Sequence, residues 1–287
     1  MTKKFKTDAD FLNSLNTRLP EISGKIGIRL QRLRKQIAFD RMLARVFYNP
    51  DAHWYLKGGY SMEIRADRAR ATKDIDLAYI VDKNELEIVD ELLRQELQEA
   101  LSKNLDDHFK FIVSEVKMDL KGPRLGGIRV NVDAIVNGKL FDRFIVDIGA
   151  GDAYLPPLEK VELENHLAFA GIEAPTVEMI SLEQQFAEKI HAYTLPRERN
   201  SRVKDLIDLH ILLNDKKLDM ERLKNAINVT FRNRSTHEVP IRLIPPPEEW
   251  AKPFQALAEE VGISKDIKSV FEELGKFYEN RIIIKTK

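Results

Sequence analysis

The sequence predicts an α+β protein in two parts: a mixed sheet carrying helices over residues 1–160 and a helical domain over residues 175–287. Three observations predict it. Stretches such as 75–81 and 128–136 alternate in the period-2 manner of strands. From Ser181 onward almost every stretch repeats with helical period. Between them, Pro156-Pro157 and Pro175 break the texture, and 287 residues are comfortable for two domains.

Taken in order, Thr7 followed by Asp8 has the chemistry of a cap for a short helix. Ile26, Leu30, Leu33, Ile37, Phe39, Leu43 and Val46 recur as on one face of a long amphipathic helix over 25–47, which Asn49-Pro50-Asp51 ends. Residues 54–57 predict a strand, Gly58-Gly59 a turn, and Ser61 the start of a short helix with Met62 and Ile64. A charged loop over 67–72 leads to the strand at 75–81, and then to a helix over 86–105. Strands follow over 109–118, 128–136 and 140–148, the last two joined by Asn137-Gly138, a strong hairpin signal. Residues 176–179 are extended, and Ser181-x-x-Gln184 has the spacing of a capping box. Helices are predicted over 182–193, 203–213, 220–231, 247–261 and 265–278, with Pro245-Pro246-Pro247 as a stiff linker.

Composition excludes several classes. Apolar residues make up 43% and charged residues 32%, as in a globular protein with a proper core. No apolar run approaches the ~20 residues a bilayer requires, so no membrane association is expected. The basic N-terminus has no apolar segment of secretory type. The absence of cysteine excludes disulfides and thiolate chemistry and points to a cytoplasmic address. Lys+Arg and Asp+Glu each number 46, so any nucleic acid must be held by a local patch. The six histidines are not spaced as a zinc motif.

The most informative residues are acidic. Asp74 and Asp76 flank one apolar residue on a strand, so their side chains share a face. Like charges that close call for a counter-cation, and an oxygen-only ligand set favours Mg²⁺ or Mn²⁺. The alternative is a pair of solvated aspartates; Gly58-Gly59-x-Ser61 at this distance upstream favours the metal reading. A third carboxylate is expected from a neighbouring strand. Asp147 at the end of an apolar strand is the first candidate and Asp133 its competitor.

Gly58 and Gly59 permit positive φ and a close approach of backbone N–H groups to phosphate, and Ser61 would open a helix whose N-terminus attracts anions. Lys57 lies beside them. Lys189 falls within the inward stripe of its helix, between Leu182 and Tyr193. A lysine there snorkels, pairs with an acid, or binds a ligand phosphate. Asp205 and Asp208 share one side of the next helix and are candidates to pair with it, as Arg202 and Arg234 are candidates to clamp phosphates.

Gly58-Gly59-x-Ser61, Asp74-x-Asp76 and Asp147 together resemble the nucleotidyltransferase superfamily headed by DNA polymerase beta. More narrowly, Leu56-Lys57-Gly58-Gly59, Thr72-Lys73-Asp74-Ile75-Asp76-Leu77, Ala187-Glu188-Lys189-Ile190-His191-Ala192, Arg202 to Leu209 and Phe231-x-x-Arg234 resemble the AbiEii/AbiGii toxin family, which includes the MenT toxins. That resemblance implies two lobes, an N-terminal nucleotidyltransferase lobe and a helical one. It implies transfer of a nucleotide from an NTP with Mg²⁺ (or Mn²⁺), an RNA acceptor such as the tRNA 3′ end, and a cognate antitoxin encoded nearby. It also implies that Lys57, Ser61, Asp74, Asp76, Lys189, Asp205, Asp208 and Arg234 matter for activity. Two other readings compete: nucleotide transfer to a protein hydroxyl, and a non-catalytic module that binds a nucleotide or partner.

Overall fold

Thr7 accepts a hydrogen bond from the backbone N–H of Asp10, and Asp8 and Asp10 lie in the first turn of the helix that follows, α1 (Asp8–Ile26). This helix is far longer than the short one expected. Gly27, at φ 72°, ends it in a left-handed cap, and the chain restarts as α2 (Leu30–Val46). The single helix expected over 25–47 is therefore corrected: the apolar periodicity runs across a break that only the glycine marks. The computed structural model describes residues 4–50, 53–66, 69–81, 90–120, 125–198, 201–215 and 218–282.

Eight strands among these residues form one mixed sheet: β1 (Trp54–Lys57), β2 (Asp74–Tyr79), β3 (Phe109–Val113), β4 (Met118–Asp119), β5 (Gly127–Val136), β6 (Lys139–Ala150), β7 (Glu159–Glu162) and β8 (Thr176–Met179). Their order is β3-β5-β6-β2-β1-β8-β7, with β4 also against β5. β2 runs parallel to β6 and β1 parallel to β8; the other pairs are antiparallel. The strand expected over 109–118 is two short ones, both paired with β5. Asn137 and Gly138 take φ of 50° and 69°, the two positive values a tight β5–β6 turn demands.

The alternation in β2, β5 and β6 divides the sheet into two faces. Val130, Val132 and Val136 of β5, Phe144, Val146 and Ile148 of β6, and Ile75 and Leu77 of β2 are buried. On their side pack α1, α2 and α4 (Asp90–Leu101). The other face carries the polar residues of the same strands. Residues 86–89 of the helix expected over 86–105, and Asp67 and Arg68 of the charged loop, lie outside the described residues.

The chain divides into two compact units. The first comprises residues 1–60, 71–151 and 159–179 and holds the whole sheet. The second comprises 61–70, 152–158 and 180–287. It is therefore not one C-terminal stretch. Residues 61–70 enter it because Met62, Ala66 and Ala69 belong to the helical core, with Phe186, Ile190 and Leu206. Residues 159–179 leave it because β8 adds to β1, a pairing between distant parts of the chain. The helix α3 (Gly58–Arg65) begins in one unit and ends in the other. The second unit also contains α5 (Leu182–Thr194), α6 (Val203–Asp215), α7 (Met220–Arg234), α8 (Ala251–Val261) and α9 (Ile267–Phe277), close to the helices the periodicity predicts. Ser181 caps α5 by accepting from the Gln184 N–H, as the capping spacing predicts. No helix among the described residues is long and apolar enough to cross a membrane.

Candidate active site

Strand register assembles the acids of the sheet. Lys57 of β1 is paired with Asp76 of β2, Asp76 with Asp147 of β6, and Asp147 with Arg129 of β5. Directly paired residues share a face, and neighbouring strands lie about 4.8 Å apart. The four side chains thus form a cross-strand rung in the order cation, anion, anion, cation. Asp74, two residues before Asp76, points to the same face from the next position along β2. Asp133 shares that face but lies four residues along β5 from Arg129, and Arg143 grips its carboxylate. Of the two competitors for third carboxylate, register puts Asp147 in the rung.

Each acid of this group already has a partner. Asp147 is held two-pronged by Arg129, with Nε at 2.7 Å and Nη2 at 2.6 Å from its oxygens. Asp74 accepts a hydrogen bond from the Thr72 hydroxyl at 2.8 Å. The Asp76 carboxylate lies against the start of α3, 3.4 Å from the Gly59 backbone N. Gly58 takes φ 66°, and a Cβ there would come within 1.9 Å of Asp76 Oδ2. Only glycine lets the carboxylate seat this closely against the bend. The Arg129 guanidinium is held more firmly protonated than usual, first by its hydrogen bonds to Asp147 and then by the charges of Asp147, Asp74 and Asp76.

Ser61 departs from expectation. The helix opens at Gly58, so Ser61 lies within it rather than at its mouth. Its side chain is fully buried and accepts a hydrogen bond from Gln185 Nε2 at 2.8 Å. Gln185 in turn accepts from Arg65, which also donates to the Ile180 carbonyl. In this structure the hydroxyl is thus buried and engaged by Gln185.

The helical unit holds a second ionic cluster. Lys189 Nζ lies 2.8 Å from Asp208 and 3.2 Å from Asp205. Arg70 grips Asp208 from another side, at 3.0 and 3.1 Å, and Arg202 lies 3.6 Å from Asp205. Burial disfavours the Lys189 ammonium, but Asp208 and Asp205 outweigh it and its pKa is raised. Burial likewise works against the Asp208 carboxylate, and Lys189 and Arg70 hold its pKa below the ordinary range all the same. The acid-paired alternative for Lys189 is thus present in the structure. Arg234, in the last turn of α7, lies 2.8 Å from the buried Asp152.

The model of the AbiEii family, described as a nucleotidyl transferase toxin of a type IV toxin–antitoxin system, matches residues 41–275. The chain belongs to the AbiEii family. Among solved structures it is similar to the nucleotidyltransferase toxin MenT4 of Mycobacterium tuberculosis H37Rv. That likeness has 18% identity and a TM-score of 0.54, and it covers 88% of this chain and 92% of that one. JHP933 of Helicobacter pylori is looser, at 16% identity, TM-score 0.44 and coverage of 86% and 94%. The antibiotic-resistance factor ANT(2'')-Ia is looser still, at 16%, 0.37, and coverage of 69% and 91%. No protein of curated function matches the sequence.

This AbiEii protein is therefore a nucleotidyltransferase of a toxin–antitoxin family, a class that uses NTP and a divalent metal. The residues present suit such a metal: Asp74, Asp76 and Asp147 offer only hard oxygen donors, and no thiol competes. Among the described residues, no three acids or imidazoles stand together as a ready-made cation cage. Sequence reasoning missed Arg129 and Arg70. Arg129 had one available signal: it falls on the polar alternation of β5 with Asn131 and Asp133.

Proposed function

We propose that this AbiEii nucleotidyltransferase transfers a nucleotide from an NTP to RNA, with the tRNA 3′ end as acceptor and Mg²⁺ or Mn²⁺ as cofactor. Asp74 and Asp76 hold the metal, with Asp147 as third carboxylate. Lys57 and the backbone of Gly58 and Gly59 hold the β- and γ-phosphates. The bound cation supplies charge neutralisation for the leaving pyrophosphate and a lowered pKa for the attacking hydroxyl. Lys189, Asp205, Asp208, Arg202 and Arg234 are further residues needed for activity, and within the helical unit the paired Lys189 ties α5 to α6. A cognate antitoxin restrains the activity in the cytoplasm. The observation that carries the reading is the rung itself: two strand aspartates on one face, a third beside them, and a glycine bend against the Asp76 carboxylate.

Incubation with each of four labelled NTPs in the presence of total RNA and total protein tests it. Label should enter RNA of tRNA size at the 3′ end. Asp76→Asn should lower the rate on the order of 10³-fold, about 4 kcal/mol in the barrier. Label in protein instead of RNA would overturn the acceptor assignment in favour of protein nucleotidylation. Unchanged transfer by Asp76→Asn would overturn the site.

A further inference from the structure

We propose that Arg129 is a positioning residue that competes with the divalent cation for Asp147, so that the third carboxylate joins the metal only when the arginine lets go. The inference rests on the metal-assisted reading above and concerns a residue that reading does not use.

Three carboxylates on one sheet face repel one another when no cation is bound. The chain answers this within the sheet. β5 places Arg129 directly opposite Asp147, on the side away from Asp76. The planar fork matches the carboxylate edge, one nitrogen to each oxygen, at 2.7 and 2.6 Å. Both oxygens of Asp147 are therefore engaged and its charge is neutralised. A divalent cation approaching Asp147 meets a fixed positive charge of like sign. Each Asp147 oxygen keeps a second lone pair, so charge decides the outcome: the cation stays with Asp74 and Asp76 while the fork holds, or it takes Asp147 and the repelled guanidinium lets go.

Among the described residues, Asp147 is the only group the fork is bonded to. The Arg129 side chain is 33% exposed, whereas the Asp147 side chain is 14% exposed. Its electrostatic surroundings are acidic, Asp74 and Asp76 included, so it is held by the same carboxylates that would hold a metal. A lysine would give the charge without the two-pronged grip. The rung thus behaves as a site with a resident counter-cation, which neutralises Asp147 before the metal arrives and sets how tightly that carboxylate binds it.

The test measures Mn²⁺ binding to the whole chain by electron paramagnetic resonance, without substrate and without an activity readout. Arg129→Gln should tighten Mn²⁺ by up to about fivefold, the upper worth of a partly exposed pair. Arg129→Lys should tighten it less, about twofold to threefold. Asp147→Asn should weaken binding, and adding Arg129→Gln to Asp147→Asn should bring no further gain. The proposal is overturned if Arg129→Gln leaves Mn²⁺ affinity unchanged. It is equally overturned if the gain persists in the Asp147→Asn background, since the arginine would then act as a general positive field. Failure of the wild-type chain to bind Mn²⁺ through Asp74 and Asp76 would bring down the metal reading itself, a result distinct from either.

Discussion

Asp107 and Asp147 of the sheet unit are both gripped by arginine, and they differ in whether the grip can be exchanged. Asp107 lies between α4 and β3. Arg45 reaches both its oxygens, at 2.6 and 2.9 Å, and Arg41 adds a third bond at 2.8 Å. The side chains of Arg45 and Asp107 are 0% and 1% exposed. Arg45 also donates to the carbonyls of Lys103 and Phe109, and the Phe109 N–H returns to Asp107. Every arm of that cluster is tied to backbone. Arg129 also grips both oxygens of Asp147, side-on through Nε and Nη2 where Arg45 uses its two terminal nitrogens, but among the described residues it makes no tie to backbone and otherwise feels only the field of neighbouring acids. Identical chemistry therefore serves a lock in one place and an exchangeable partner in the other; burial and the number of backbone ties make the difference.

The largest expected effect tests the lock. Asp107→Ala leaves two buried guanidinium groups without their carboxylate and should cost about 3–5 kcal/mol of stability, read as a lower urea midpoint. Burial works against the Asp107 carboxylate, yet Arg45 and Arg41 hold its pKa below the usual range. Asp106 and His108, on either side, both take positive φ, at 54° and 66°, and the sealed pairing is what holds this turn in shape. A loss under about 1 kcal/mol would mean that the cluster is no lock and that the contrast with Asp147 is empty.

A smaller effect comes from a buried group that is kept neutral instead of being paired. His191 of α5 is 6% exposed and bonds Thr236 through Nε2 at 2.9 Å. Thr236 meets His237, and His237 meets Thr194. Burial, then the charges of His237, Arg234 and Arg197, push the His191 pKa down to about 4, with Asp152 opposing. The unfolded chain gains a proton near pH 6.5 while the folded one waits until about pH 4. Stability from this group is thus complete above about pH 6.5 and is lost as pH falls towards 4. Between pH 7 and 5 the loss should be about 2 kcal/mol, measured by urea unfolding at the two values. His191→Gln should remove most of it. His237, whose pKa burial also lowers, leaves a residual slope of the same sign. Equal losses in wild type and variant would show that neutrality at His191 does not matter.

The sequence made much of this site legible, and the part it hid has a physical cause. Alternation placed Asp74 and Asp76 on one face, and Asp147 at the end of an apolar strand marked a charge in need of a reason. Helical periodicity located α5 and put Lys189 on its inward stripe, with the acids of α6 available to it. Arg129 was hidden by register. Counting back from the Asn137-Gly138 turn, where Val136 faces Lys139, strict pairing would set Arg129 opposite Val146, on the wrong face. A bulge between Ala134 and Ile135 leaves Phe141 without a partner and shifts the register by one, so that Arg129 meets Asp147 instead. The one mark of that extra residue is a slip in the alternation of β6, where the inward residues Phe141 and Phe144 stand three apart instead of two. The burial of Ser61 and the return of β8 to β1 were hidden for a related reason, since both depend on partners more than 100 residues away.

The smallest expected effect is also the most discriminating. Asp147→Asn removes the charge that Arg129 grips but leaves the guanidinium partly in solvent, so its stability cost should be no more than about 1 kcal/mol. The same substitution type at Asp107 strands two arginines that are almost wholly buried. Urea unfolding of Asp147→Asn beside Asp107→Asn measures the contrast directly under one set of conditions. A large midpoint shift for Asp147→Asn would make its pair a second lock, and an arginine held that firmly could not yield to a cation. A small shift, together with lost nucleotide transfer, leaves Asp147 as a carboxylate whose charge serves the reaction and not the fold.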